Sequence, residues 1–233
     1  MKNADIVYFL KDSAYNDELR YSLRSIEKNL PHGKVFFYGG RPIGLKPDEH
    51  ILVNQKPNNK WGNVSDMLYE ACKNEEISEN FWLMNDDFFV LYEPQADIYS
   101  DSTIQDLIGK TISKNRLPSK YAKHLEKTIA ALEEKGYPTM NFEVHCPMLI
   151  NRKAMLEVYE TFPEVAGHRS LYGNMMIKRT GVAYATTTDN KIVDLESGIG
   201  DGWFVSTDDR SFSDGNVGKE IRVLFEDKCR YER

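Results

Sequence analysis

Short apolar runs alternate with segments of helical spacing through the first half of the chain, and that alternation restricts the fold more than any other feature. Residues 5–10 read as a buried strand, and Asn16 or Asp17 then offers a helix N-cap. Leu19, Leu23, Ile26 and Leu30 recur at helical spacing until Pro31-His32-Gly33 stops them. A second strand over 34–38 closes in Gly39-Gly40-Arg41-Pro42, and a third covers 50–54. A helix over 64–73 leads to a fourth strand, 81–84, which ends in Asn85-Asp86-Asp87. This rhythm predicts an α/β fold: a mostly parallel mixed sheet flanked by helices. Ligands of such sheets collect beyond the carboxyl ends of the strands. Lys11, Asp12, 39–41 and 85–87 therefore become the residues of interest.

The second half is less regular. It predicts helices over 119–135, 152–161, 170–178 and 218–225, and strands over 141–151, 181–187 and 202–207. No repeat, low-complexity tract or linker interrupts it, so the expectation is a single domain over 1–233. With 41% hydrophobic and 28% charged residues, the 233-residue chain has the composition of a folded protein. Its longest apolar runs, such as Val35-Phe36-Phe37-Tyr38, are too short to cross a bilayer, so no transmembrane segment is expected. The start, Met1-Lys2-Asn3-Ala4-Asp5, lacks a signal-peptide pattern, so the expected location is cytoplasmic. Three widely spaced cysteines point to neither a disulfide framework nor a zinc cluster. The net charge of −6 disfavours a long nucleic-acid groove.

Phe81-Trp82-Leu83-Met84-Asn85-Asp86-Asp87-Phe88-Phe89 delivers two adjacent carboxylates to a strand end. Hard cations such as Mg²⁺ and Mn²⁺ take oxygen ligands and complete their shells with substrate phosphates. A capped turn is the plainer use of such a pair. Arg20 and Arg24, four apart on one helix face, could fork onto phosphate or pair with Asp17, Glu18 or Glu27. In a strand, Glu143 and His145 would face one side together, with Glu143 or a nearby Asp as an acceptor base and His145 as a second base, a metal ligand or a plain core or surface residue. Asp201, set among Gly198, Gly200 and Gly202, suits a plain turn, an acceptor loop or a base. Trp61 and Trp203 suit core packing or stacking on a sugar.

Residues 5–8 with 16–26 (Asn-Asp-Glu-Leu-Arg-Tyr-Ser-Leu-Arg-Ser-Ile) resemble the opening regions of the Stealth-type capsular polysaccharide phosphotransferases. The Asn-Asp-Asp-Phe-Phe core of 81–89 resembles the acidic motif of that family, and 141–151 its later His-x-Pro region. Lys11-Asp12-Ser13 stands where the family has Asp-Gly-Ser, and Gly39-Gly40-Arg41-Pro42 replaces its usual strand end. The tail, 225–232, is similar to the ends of small bacterial or phage-borne relatives.

The resemblance implies a GT-A-like (Rossmann-like) fold, with 1–91 as a donor half and 92–233 as an acceptor-side half. It also implies Mn²⁺ or Mg²⁺ and a nucleotide-sugar donor. Asp5, Asp12, Arg20, Arg24, Asn85 and Asp86 would lie at the donor. Asp87, with Asp86, would lie at the metal. From the residues' own pattern, apart from the resemblance, His145 is a further metal candidate, and Glu143, His145 and Asp201 are the candidate catalytic groups.

Three functions follow as expectations. The first is glycosyl transfer to a glycan or other hydroxyl acceptor, with DNA disfavoured by the acidic balance. The second is sugar-1-phosphate transfer in polysaccharide synthesis. The third is a non-catalytic nucleotide-sugar-binding module.

Overall fold

The computed structural model describes residues 4–115, 120–163, 165, 167–181 and 184–233. The first apolar run forms β1 (Asp5–Leu10), buried along its whole length. Helix α1 (Asp17–Asn29) starts at Asn16, whose side chain accepts from Leu19 N, with Asp17 and Glu18 in its first turn and Lys28 in its last. Strands β2 (Val35–Gly39) and β3 (Glu49–Ile51) precede α2 (Lys60–Lys73) and β4 (Asn80–Met84). Ile6, Tyr8 and Leu10 share one core cluster with Leu19, Leu23 and Ile26 of α1. Side chains buried this completely each contribute about 1.5–3 kcal/mol.

After the acidic turn comes β5 (Phe88–Val90), which the sequence did not signal as a separate strand. Its edge is served by α1: Val90 N donates to Ser25 Oγ at 3.0 Å, and Asn29 Nδ2 donates to Val90 O at 2.8 Å. A buried serine and a half-buried asparagine on a helix thus stand in for a neighbouring strand at Val90.

Strand β6 (Tyr99–Ser100) opens a second compact unit, made of Ala96–Val144 and Asn151–Thr188. Within it come α3 (Ile104–Asn115) and α4 (Lys120–Glu134). The expected start of α4 at Ser119 lies outside the described residues. Strand β7 (Met148–Asn151) is followed by α5 (Arg152–Thr161), α6 (His168–Thr180) and β8 (Ala185–Thr186), the last running parallel to β6. Of the strand expected over 181–187, residues 182 and 183 lie outside the described residues.

The strand expected over 141–151 survives only as β7. Over 140–144 the backbone divides its partners: Met140 bridges Thr103 and Asn141 N donates to Ser102 O at 2.9 Å, while α6 supplies others. Met140 N donates to Asn174 Oδ1 at 3.0 Å, and Phe142 N donates to Ser170 Oγ at 3.1 Å. Gly173 makes this approach feasible, because a Cβ there would meet the Phe142 ring at 2.4 Å.

The first unit comprises the described residues up to Gln95, with His145–Ile150 and Asp189–Arg233. The chain thus groups into two units that interleave along the sequence. The returning segment adds β9 (Phe204–Ser206), antiparallel to β5, and the helices α7 (Asp209–Asp214) and α8 (Asn216–Leu224). Phe212, Val217 and Ile221 pack with Phe89 and Val205 in a second cluster.

The main sheet has the order β3-β2-β1-β4-β7, with β3, β2, β1 and β4 parallel. The chain moves outward from β1 to β2 and β3, then returns to the other side of β1 as β4. A topological switch point therefore lies between the carboxyl ends of β1 and β4.

Candidate functional site

The loops that leave β1 and β4 meet at this switch point. A cavity of about 430 Å³ opens there, with Lys11, Asp12, Asp17, Glu18, Asp86 and Asp209 among its lining residues. Five carboxyl groups thus face one ammonium. Asn16 ties the two loops together: Oδ1 caps α1, and Nδ2 donates to Asp86 Oδ2 at 2.6 Å. Burial raises the Asp86 carboxyl above its ordinary value, and the neighbouring Asp87 adds to the rise.

Asp87 turns toward the returning segment. Its Oδ2 accepts from Lys191 Nζ at 2.9 Å and from Ser206 Oγ at 3.4 Å. Its Oδ1 is buried and accepts no hydrogen bond among the described residues. Glu18 Oε1 accepts from Thr207 Oγ1 at 2.7 Å. Burial pushes Glu18 from 4.5 up to about 7, and Asp87, Asp86 and Asp209 contribute repulsion.

The expected site residues separate clearly. Asp12, exposed, and Asp86 lie at the cavity, and Asp87 follows Asp86 in the same turn. Asn85 is half-buried, and its carbonyl accepts from Phe88 N at 3.3 Å to close that turn.

Asp5 is a correction. It sits at the amino end of β1, and its two oxygens accept from Lys34 N at 2.7 Å and Ser78 N at 2.8 Å. It fastens the strand to the loops that feed β2 and β4, away from the ligand edge.

The arginine pair is a second correction. Arg24 forks onto Glu232, with Nε at 2.7 Å from Oε1 and Nη2 at 2.9 Å from Oε2. Its Nη1 donates to the carbonyls of Phe225 and Glu226, both at 2.9 Å. Arg20 donates from Nη1 to Glu232 Oε2 at 3.2 Å and from Nε to Asp17 at 3.1 Å. The Glu232 side chain is 1% exposed. Burial raises its carboxyl, but the bonds from Arg24 and Cys229 N outweigh that and hold it below its usual range. The fork expected to grip phosphate instead holds the tail of its own chain.

Glu143 and His145 do not share a strand face, because 141–147 is not a strand. In the second unit, Glu143 Oε1 accepts from Ser170 N in the first turn of α6 at 3.0 Å. In the first unit, His145 Nδ1 lies 3.0 Å from Asp189 Oδ2. Burial would raise Asp189, but its hydrogen bonds with His145 and that ring's charge bring it below its usual range. Asp201 is exposed at a bend and is not among the residues lining the cavity. Trp203 packs against the core cluster, whereas Trp61 on α2 is partly exposed.

Sequence reasoning missed Glu18, Lys191 and Asp209. The Asn-Asp-Glu run at the start of α1 was a usable signal for Glu18. Nothing local marks Lys191 or Asp209, which reach the site through the pairing of β9 with β5.

Among the described residues, no group of three or more His, Cys, Asp or Glu side chains could hold a metal ion. A closed protein cage is therefore not what the acidic turn offers. A hard cation that keeps water and substrate phosphates needs only one or two carboxylates. The bare, buried Asp87 Oδ1 is an oxygen that such a cation would satisfy. The carboxylates present fit a cation that arrives with phosphate.

No family model matches this chain, and no curated protein sequence does. Solved structures match at low identity. The apo-form glycosyltransferase GlyE of Streptococcus pneumoniae TIGR4 is 14% identical over 81% of this chain, with a TM-score of 0.36. This chain spans 46% of GlyE. The galactosyltransferase LgtC, in complex with donor and acceptor sugar analogs, is 13% identical over 81% of this chain and 75% of its own, with a TM-score of 0.39. Mouse xyloside xylosyltransferase 1, in its apo form, is 7% identical over 99% of this chain and 96% of its own, with a TM-score of 0.38. No described helix of this chain is long and apolar enough to cross a membrane.

Proposed function

We propose that this chain is a glycosyltransferase that moves a sugar from a nucleotide-sugar donor to an acceptor hydroxyl, with Mn²⁺ or Mg²⁺ at Asp86 and Asp87. One observation carries this reading: a cavity at the switch point has five carboxyl groups, one lysine and the twin-aspartate turn at its edge. A diphosphate entering such a cavity meets net negative charge, so a cation must bridge it to the protein. When bound, that cation supplies electrostatic stabilisation of the charge that develops on the leaving diphosphate.

The residues of the chain divide the remaining work. Asn16 holds Asp86 in place through a 2.6 Å bond. Glu18, lifted to about 7 and oriented by Thr207, is the cavity carboxyl suited to exchange a proton with an acceptor hydroxyl near neutrality. A glycan or other hydroxyl compound is the acceptor favoured by the acidic balance of the chain. DNA is not.

A second reading, transfer of a sugar-1-phosphate, draws on the resemblance of residues 16–26 and 81–89 to the Stealth-type enzymes. The products separate the two. Incubation with Mn²⁺ and a panel of nucleotide sugars should release nucleoside diphosphate, faster with acceptor and not at all with a chelator. Release of nucleoside monophosphate would select the second reading. Donor binding that survives in Asp86→Ala and Asp87→Ala, with no turnover of any donor, would leave only a binding module.

A further inference from the structure

The cation that the acidic turn needs is, in this structure, replaced in part by a side chain. Lys191 Nζ lies 2.9 Å from Asp87 Oδ2, with the lysine side chain 26% and the aspartate 17% exposed. This pairing is built in by the backbone. Lys191 forms a parallel bridge with Ser206, Ser206 N donates to Asn190 O at 3.1 Å, and Ile192 N donates to Ser206 O at 2.8 Å. Ser206 ends β9, and its register partner in β5 is Phe88, the residue next to Asp87. Lysine and aspartate are therefore carried on two elements pinned to the same short ribbon. The Lys191 charge also helps to hold down the carboxyls of Asp189 and Asp208.

We propose that Lys191 is the resident counter-ion of Asp87 and competes with a divalent cation for that carboxylate, so that the cation binds weakly until donor phosphates accompany it. The physical ground is charge. An ammonium and a divalent cation on one carboxylate repel each other at hydrogen-bonding distance in a partly buried setting. With Lys191 in place, Asp87 is already neutralised on one oxygen, and a free cation gains only the bare Oδ1. Phosphates that enter with the cation bring the negative charge that lets both cations remain. Lys191 is thus a positioning residue: it acts through Asp87. This inference rests on the proposed metal site, and its test reads metal binding, not turnover.

The test is a Mn²⁺ titration of the full chain, followed by the electron paramagnetic resonance signal of the free ion, with and without a nucleoside diphosphate. Lys191→Met should bind Mn²⁺ alone roughly tenfold more tightly than the unaltered chain, and Lys191→Arg, which keeps the charge, should stay near it. With nucleotide present, the gap between Lys191→Met and the parent should shrink. Adding Asp87→Asn to Lys191→Met should abolish the gain. Equal or weaker Mn²⁺ binding by Lys191→Met, with its thermal unfolding unchanged, would overturn the inference, as would an equal gain in Lys191→Arg. Turnover of a nucleotide sugar without any effect of Lys191→Met on Mn²⁺ affinity removes this inference and keeps the function. A tighter Mn²⁺ site in a chain that turns over no donor does the reverse.

Discussion

Helix α1 carries two charged regions about one turn apart, and they meet opposite fates. At its first turn, Asn16, Asp17 and Glu18 border a cavity where negative charge accumulates with one lysine to oppose it. Further along, Arg20 and Arg24 meet a buried Glu232 that takes both of them. In the sequence the arginines look like the stronger ligand-binding signal, since forked guanidinium groups suit phosphate. The structure separates the two regions by compensation. Charge that the chain itself neutralises holds the fold together, and charge left unbalanced at a strand end is what the proposed function draws on.

The largest expected effect tests the unbalanced side. Asp87→Asn and Asp86→Asn should each lower donor turnover about 10²–10³-fold, the scale of a lost metal-held charge. Thermal unfolding of Asp86→Asn should rise or stay level, because it removes like-charge repulsion in the turn, whereas Asp87→Asn also strips Lys191 of its partner and should lose up to about 1 kcal/mol. A large drop in stability with little loss of turnover would reverse the roles given to the two regions. The balanced side predicts the opposite pattern. Arg24→Met takes the forked partner from the buried Glu232 side chain and leaves it only Arg20 and Cys229 N, so it should cost up to about 3 kcal/mol in denaturant unfolding. Arg24→Met combined with Glu232→Met should recover much of that loss. Turnover per folded molecule should barely change in either variant. A selective rise in KM for the donor would return Arg24 to the phosphate site.

The same contrast explains what could be read from the sequence. β1 and α5 were expected at their observed bounds, because one is a solid apolar run and the other has clear helical spacing; in the structure Asn151 caps α5. The acidic turn was legible because a buried strand delivers its two aspartates to the ligand edge of a parallel sheet. The sequence did not reveal which charges are already paired. Glu232 lies 208 residues from Arg24, and Lys191 lies 104 from Asp87, so no local pattern announces either pair. Residues 140–144 misled for a related reason. Their alternation resembles a strand, yet Asn174 and Ser170 of α6 take the N–H groups of Met140 and Phe142, and the strand pairing stops at a bridge between Met140 and Thr103.

Glu18 sharpens the comparison through pH. Burial lifts its carboxyl from 4.5 to about 7, so between those values the folded chain holds a proton that the unfolded chain has lost. Stability therefore falls as pH rises through that window, and the loss is complete above about 7. Glu18→Gln, which cannot ionise but keeps an oxygen for Thr207, should flatten the slope. The two proteins should differ least below pH 4.5. At pH 8 the Gln variant should be more stable by at most about 3 kcal/mol. Thermal unfolding across pH 4–8 measures this. Parallel curves at every pH would mean that Glu18 ionises as it does in solvent, and the cavity would lose its near-neutral carboxyl.

The smallest effect concerns Asn16, which serves both the helix and the acidic turn. Oδ1 caps α1, while Nδ2 holds Asp86. Serine keeps an oxygen for the cap but offers no amide to reach Asp86, and alanine keeps neither. Asn16→Ser should therefore hold stability within a few tenths of a kcal/mol, and Asn16→Ala should lose about 1 kcal/mol. Turnover should fall in both by a similar factor, because both free Asp86 from its hydrogen bond. That split, with stability following the oxygen and activity following the amide, is measurable by denaturant unfolding beside a donor assay. Were turnover to follow the cap instead, the bond to Asp86 would be incidental, and the cavity would owe its geometry to the helix terminus alone.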